Sequence, residues 1–212
     1  MQNKPFHLIL GSQSPRRKEL LSHLGVPFYQ MASQVDEHSD KKNKAAYVKE
    51  ISRLKMNDLW EKVPKAWNPL MVTSDTVVVL GNKVLGKPAD QAHAKKMLKE
   101  LSGKSHYVYT ALSYQWFNKN KICSVNLVDK VKVTFYPIDQ WLIDEYVASG
   151  QPMDKAGAYG LQGYPQMFLK KIEGNYSSVV GFPLGLFCDS LKAQFKLKKH
   201  SLKELFIQDR WF

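Results

Sequence analysis

The chain has 212 residues, 44% hydrophobic, 12% aromatic and 24% charged, an ordinary globular composition long enough for one domain with a full core. Twelve Gly and ten Pro exclude a collagenous or low-complexity chain, and no apolar run approaches the roughly 18–20 residues that cross a bilayer. Lys and Arg number 31 against 19 Asp and Glu, a net charge of +12 with six bases and two acids in the last 21 residues; such a surplus attracts nucleic acid, nucleotides or an anionic membrane face without choosing among them.

Residues 6–10 predict a buried strand, and the turn Gly-Ser-Gln-Ser-Pro follows at 11–15. Lys4 precedes only that brief apolar stretch, so no secretory leader is expected. Ser14 suits an N-cap and Pro15 the first position of a helix over 16–24, with Leu20, Leu21 and Leu24 at helical spacing and a stop at Gly25. Its N-terminus, beside Arg16 and Arg17, is a natural anion site. A strand over 27–32 and a loop over 38–44 precede a long amphipathic helix over 45–63, marked by Val48, Ile51, Leu54, Leu59 and Val63. Residues 70–73 and 76–80 form a β-branched strand, and 81–83 turn into 84–88. A helix over 90–101 is followed by alternating strands over 105–117 and 121–135, a hairpin around Asn-Lys-Asn at 118–120. Then come a helix over 138–147, a Gly-rich polar stretch over 150–163, a mixed segment over 167–172 and a closing helix over 183–195. No repeat or linker divides the chain. This order predicts an α/β fold, an elongated mixed sheet flanked by helices in two lobes with a central cleft over residues 1–195. The basic extension at 196–212 reads as a solvated helix in preference to a polyanion-binding arm, with Trp211 and Phe212 as a packing anchor.

Sites in α/β proteins gather at strand ends and Gly-rich turns. The polar residues there are Ser12, Ser14, Arg16, Arg17, Asp36, Glu37, Asp75, Lys87, Asp154, Lys155 and Gln162. Carboxylates hold a hard cation such as Mg²⁺ and bases hold phosphates, the combination needed for metal-dependent attack on a nucleotide polyphosphate. On pattern alone Arg16 and Arg17 are equally read as solvated first-turn residues, and Glu37 and Lys87 as surface charges. Asp75 is different. It lies within Val-Thr-Ser-Asp-Thr-Val-Val-Val at 72–79, and a carboxylate so enclosed sits at a bulge, is paired, or is functional, because an isolated buried charge is costly. Other templates are missing from the sequence: no P-loop, no dinucleotide fingerprint at Gly157, Gly160 and Gly163, no HExxH among six histidines, and no G-x-S-x-G elbow. His106 reads as a hydrogen-bonding structural residue. Cys123 and Cys188 are isolated, so no disulfide framework or zinc site is expected and a reducing cytoplasm is the predicted location.

Gly-Ser-Gln-Ser-Pro-Arg-Arg-Lys-Glu-Leu-Leu at 11–21 resembles the N-terminal signature of the Maf family of nucleoside triphosphate pyrophosphatases. Five further blocks resemble the same family in the same order: Val-Asp-Glu at 35–37, Ser-Asp-Thr-Val-Val at 74–78, Gly-Lys-Pro at 86–88 with Leu-Ser-Gly at 101–103, Asp-Lys-Ala-Gly-Ala-Tyr-Gly-Leu-Gln-Gly at 154–163, and Gly-Asn-Tyr-Ser-Ser-Val-Val-Gly-Phe-Pro-Leu at 174–184. Together they span roughly residues 6–195.

The resemblance implies a Maf and inosine triphosphatase-like fold, commonly a homodimer. The implied enzyme cleaves a nucleoside triphosphate between the α and β phosphates, using Mg²⁺ or Mn²⁺, to clean the nucleotide pool. Carried over, Asp75 is the general base that activates water, Glu37 assists it in the metal and water network, and both are implied metal ligands. Lys55 and Lys87 neutralise phosphate charge, and Ser12, Arg16 and Arg17 hold the triphosphate or base. The branch that prefers dTTP and UTP is similar in having Arg16, Thr76 and Gln162, whereas the 7-methyl-GTP branch has Trp in place of Arg16 and Glu in place of Gln162. Ser74, Ser178 and Phe182 depart from the family's usual Ala, Asn and Leu. The alternative expectation is a non-enzymatic regulator of septum formation and cell division, binding nucleic acid or a protein through the basic surface; the motifs themselves call for neither nucleic acid nor membrane.

Overall fold

The structure, a computed structural model, describes residues 5–119, 121–197 and 202–208. Asn120 of the expected hairpin turn, and Trp211 and Phe212 of the expected anchor, lie outside the described residues.

Strand β1 (His7–Gly11) leads through the polar turn into helix α1 (Pro15–Ser22). Ser14 takes the N-cap position with an extended backbone, but its side chain makes no capping bond. Its N–H instead donates to Ser12 Oγ at 3.2 Å, so the working hydroxyl of this turn is Ser12, two residues earlier than capping rules place it. β2 (Phe28–Met31) pairs parallel with β1. Helix α2 (Lys44–Trp60) is capped by Asn43, whose Oδ1 accepts from the Ala46 N–H at 3.0 Å. β3 (Pro69–Leu80) runs parallel to β1 and is one continuous strand through Asp75 rather than two pieces.

β4 (Lys83–Leu85) pairs antiparallel with β3. Asp90 caps α3 (Gln91–Leu101) by accepting from the His93 N–H at 2.7 Å. β5 (Ser105–Asn118), β6 (Lys121–Phe135) and α4 (Gln140–Ala148) follow. The Gly-rich stretch becomes short 3-10 turns, with Gly157 at φ +69°. A side chain there would meet Val78 at 3.0 Å, so glycine is required by both backbone and packing. The mixed segment resolves into β7 (Leu169–Glu173), antiparallel to β6. The short helix α5 (Tyr176–Val180), which periodicity is too short to announce, and α6 (Leu184–Phe195) complete the family-like region.

The strand order is β2-β1-β3-β5-β6-β7, with β4 on β3, giving the expected α/β mixed sheet of seven strands. The chain forms two units. The first comprises the described residues of Met1–Asp75, Ala111–Val128 and Gly181–Phe212, with Ile9, Met56, Leu59, Trp60, Val63 and Met71 packed in one of its buried clusters. The second comprises Thr76–Thr110 and Asp129–Val180, and its core includes Val78, Leu98, Val131, Phe135, Tyr146 and Phe168. Among the described residues no helix is long and apolar enough to cross a membrane.

The extension is not the expected solvated helix where it is described. Leu202–Leu205 is a 3-10 turn, and Phe206 bridges Phe6 in parallel fashion. Phe6 N–H donates to Leu205 O at 2.7 Å, and Ile207 N–H donates to Phe6 O at 3.0 Å. Phe206 is 2% exposed. One buried aromatic and two backbone bonds outweigh the weak helical preference of so short a segment.

Candidate active site

The first unit holds six of the predicted site residues: Ser12, Arg16, Arg17, Glu37, Lys55 and Asp75. Asp75, inside β3, is buried at 6% exposure, and Lys55, inside α2, at 7%. Lys55 Nζ donates to Asp75 Oδ1 at 2.8 Å and stands 2.9 Å from Oε2 of Glu37, on the segment between β2 and α2. The ammonium therefore bridges two carboxylates. A buried lysine and a buried aspartate are tolerable only because each compensates the other. The Glu37 side chain keeps 51% exposure, so the Glu37 end of this bridge is open to water.

Arg17 and Ser12 stand at the N-terminus of α1. Arg17 Nε donates to Gly181 O at 2.9 Å, and Nη1 to Ser12 Oγ at 3.3 Å. Burial pushes the Arg17 guanidinium below its usual range, opposed by the charges of Asp75 and Glu37 and reinforced by Arg16. Ser12 Oγ accepts from Arg17 and from the Ser14 N–H; neither bond uses its own proton, which leaves an O–H donor at a helix N-terminus. The Ser12 carbonyl accepts from Gln30 Nε2 at 2.7 Å, which ties the turn to β2. Arg16 is half-buried in the same first turn. Ser74, a departure from the family pattern, has its Oγ 2.7 Å from Ala111 O and 2.9 Å from Gly181 O. The carbonyl of Gly181 thus receives both Arg17 and Ser74.

Thr76, Lys87 and Gln162 belong to the second unit. Thr110 Oγ1 donates to Ser178 O at 2.7 Å and lies 3.1 Å from Thr76 Oγ1, and Ser178 Oγ donates to Asp129 Oδ2 at 2.5 Å. Lys87 is exposed after β4, and Gln162 is half-buried in the Gly-rich stretch. Lys155 Nζ binds Asp154 Oδ1 at 2.6 Å and the carbonyl of Gln151, so that pair is internally satisfied. His106 is structural, as expected: it is 1% exposed, Nε2 lies 2.7 Å from Tyr159 Oη, and burial pushes its pKa down to about 4.

Sequence reasoning missed Tyr47. Its hydroxyl donates to the Glu37 carbonyl at 3.3 Å. Burial, and then the charges of Asp75, Glu37 and Asp36, push the phenol up. The available signal was spacing, since 47, 51 and 55 share one face of a helix.

Glu37 and Asp75 are the carboxylates that fit a divalent cation. Among the described residues no group of three or more His, Cys, Asp and Glu side chains is placed to hold a metal. Two carboxylates are nevertheless an ordinary protein contribution for Mg²⁺, which takes its remaining oxygens from water and substrate phosphates. The donor set suits an ion that arrives with a polyphosphate better than a resident one.

The family model for Maf, a Maf-like protein, matches residues 7–194. A dTTP/UTP pyrophosphatase of Shewanella sp. is 44% identical over 185 residues, covering 84% of this chain and 93% of its own length. Proteins of the same description from Polaromonas sp. and Bacillus pumilus are each 41% identical, covering 82% and 84% of this chain and 89% and 90% of their own. With matches of this extent, the chain belongs to the Maf family.

Proposed function

We propose that this protein is a nucleoside triphosphate pyrophosphatase, hydrolysing dTTP and UTP to the nucleoside monophosphate and pyrophosphate as a cleaner of the nucleotide pool. The observation that carries this reading is Lys55 held between Asp75 and Glu37, in a unit that also presents Arg17 and Ser12 at a helix N-terminus. Asp75 accepts a proton from water as the water oxygen bonds to the α phosphorus; the bond from that phosphorus to the bridging oxygen breaks, and pyrophosphate leaves. Lys55 turns from the carboxylates toward the phosphate charge that develops, and Arg17, Ser12 and the N–H groups of α1 supply further fixed donors. Arg16 and Lys87 add positive charge. A Mg²⁺ or Mn²⁺ ion held by Glu37 and Asp75 would neutralise phosphate oxygens and polarise the reacting phosphoryl group.

Base preference is assigned to Arg16, Thr76 and Gln162. A Gln amide donates and accepts at once, matching the O4 and N3–H edge of thymine or uracil. The relatives described as dTTP/UTP pyrophosphatases support this choice. A cytoplasmic homodimer is part of the proposal, and sedimentation of the purified protein tests the dimer.

The deciding experiment is pyrophosphate release from a panel of nucleoside triphosphates, with Mg²⁺, Mn²⁺ or EDTA present. Metal-dependent release from dTTP and UTP ahead of the purine nucleotides is expected. Release from guanine nucleotides alone would sink the base assignment, and no release from any would sink the enzyme.

A further inference from the structure

Three buried hydroxyls that none of the foregoing uses join α2 and β3, the elements that carry Lys55 and Asp75, to β5. Ser52 and Thr73 are fully buried and Ser113 is 4% exposed. Thr73 Oγ1 donates to Ser52 O at 2.7 Å, and Ser52 Oγ donates to Ser113 Oγ at 2.9 Å and lies 3.3 Å from Thr73 O. Helix α2 and strands β3 and β5 are therefore pinned together at one point inside the first unit.

The placement matches that of the Lys55–Asp75 pair. Ser52 and Lys55 are three residues apart on α2, hence on one face and about 4.5 Å apart along the axis. Thr73 and Asp75 are two apart on β3, hence on one face and about 6.7 Å apart along the strand. Ser52–Thr73 and Lys55–Asp75 are successive rungs between the same two elements, and the flexible lysine stem takes up the difference in rise. Packing at this seam has no slack: a Cβ on Gly11, at the end of β1, would come within 2.6 Å of Thr73 Cγ2 and 2.7 Å of Leu59 Cδ1 on α2. Apolar side chains alone would leave the helix free to slide by fractions of an ångström, whereas a hydroxyl in a dry interior must meet its partner or incur its desolvation cost.

We infer that Ser52, Thr73 and Ser113 are positioning residues, setting the register of α2 on β3 so that Lys55 Nζ is delivered between Asp75 and Glu37. The inference rests on the proposed function for its catalytic consequence, but the delivery of Lys55 can be read without it. Thr73→Val keeps the side chain's shape and removes the donor; Thr73→Ser keeps the donor. Thr73→Val is expected to lower kcat for dTTP about tenfold with KM within about twofold, since sub-ångström misplacement of a catalytic group acts on the chemical step. Thr73→Ser should stay within about twofold of wild type in both. Ser52→Ala, which adds no bulk, should repeat the kcat loss. Ser190→Ala, which breaks the Tyr114–Ser190 bond of 2.7 Å in the same unit, should leave kcat unchanged.

In parallel, acylation of Lys55 by an amine-reactive acetyl ester, followed by peptide mass spectrometry, should be slow in wild type and several-fold faster in Thr73→Val and Ser52→Ala. Unchanged kcat in both folded variants overturns the inference, and so does equal loss in Thr73→Ser. A wild-type protein that releases no pyrophosphate overturns the proposed function instead. The acylation rates then decide whether the hydroxyls hold Lys55: unchanged rates overturn that as well.

Discussion

Replacing Lys55 by methionine removes the charge from between two carboxylates while nearly preserving side-chain length. The Lys55–Asp75 contact is 2.8 Å with both side chains under a tenth exposed. At an effective dielectric near 20 the attraction is about 6 kcal/mol, most of it offset in wild type by the desolvation of both groups. Losing one partner leaves the other charge buried, which costs about 3–5 kcal/mol. The Glu37 contact adds at most about 1 kcal/mol, because that carboxylate is half in water. Lys55→Met should therefore be about 3–5 kcal/mol less stable by urea unfolding at pH 7.5, and Asp75→Asn comparably so. In the double variant neither charge remains to be stranded, so its loss should fall short of the sum of the singles by about 2–4 kcal/mol. Pyrophosphatase activity should stay lost in all three, which separates stability from chemistry. Additivity within about 0.5 kcal/mol would refute the buried-pair reasoning.

Three further outcomes follow from the geometry. His106 has its pKa pushed from 6.5 to about 4 by burial, so the folded state resists taking a proton that the unfolded chain accepts. Stability should be full above pH 6.5 and fall by about 3 kcal/mol as pH drops toward 4, and a His106→Gln variant followed by urea midpoints at pH 7 and 4.5 should show a shallower decline. Thr110→Val, which removes the hydroxyl that meets Thr76 and Ser178, should raise KM for dTTP and UTP several-fold in steady-state assays with kcat little changed. Phe206→Ala should lower stability by about 3 kcal/mol or more in thermal and urea unfolding, because a ring 2% exposed leaves a cavity; a loss under about 0.5 kcal/mol would show that the extension is not docked.

Asp75 illustrates both the reach and the limit of reading residues in order. An acid among β-branched neighbours had to sit at a bulge, be paired or be functional, and it is paired, but its surroundings in sequence do not name a partner 20 residues away. The same division holds at the first turn, where capping rules select Ser14 and the chain uses Ser12, because Arg17 is folded back onto that hydroxyl. Ser74 reads as a trivial replacement for alanine, yet its hydroxyl reaches carbonyls at 111 and 181. Tyr47, Ser52 and Thr73 carry no motif. Their roles arise from the helix face and strand face on which they fall.

What the sequence by itself determined is what local periodicity and contiguous motifs encode: the α/β order, most strands and helices to within a few residues, the family, and a candidate set of Ser12, Arg16, Arg17, Glu37, Lys55, Asp75, Thr76, Lys87 and Gln162. Tertiary structure alone decided which carboxylates the lysine bridges, which buried hydroxyls join the elements that carry it, and that the extension docks through Phe206. These depend on contacts between elements distant along the chain, where burial makes each unmet charge or hydroxyl costly and leaves a single arrangement that satisfies them together.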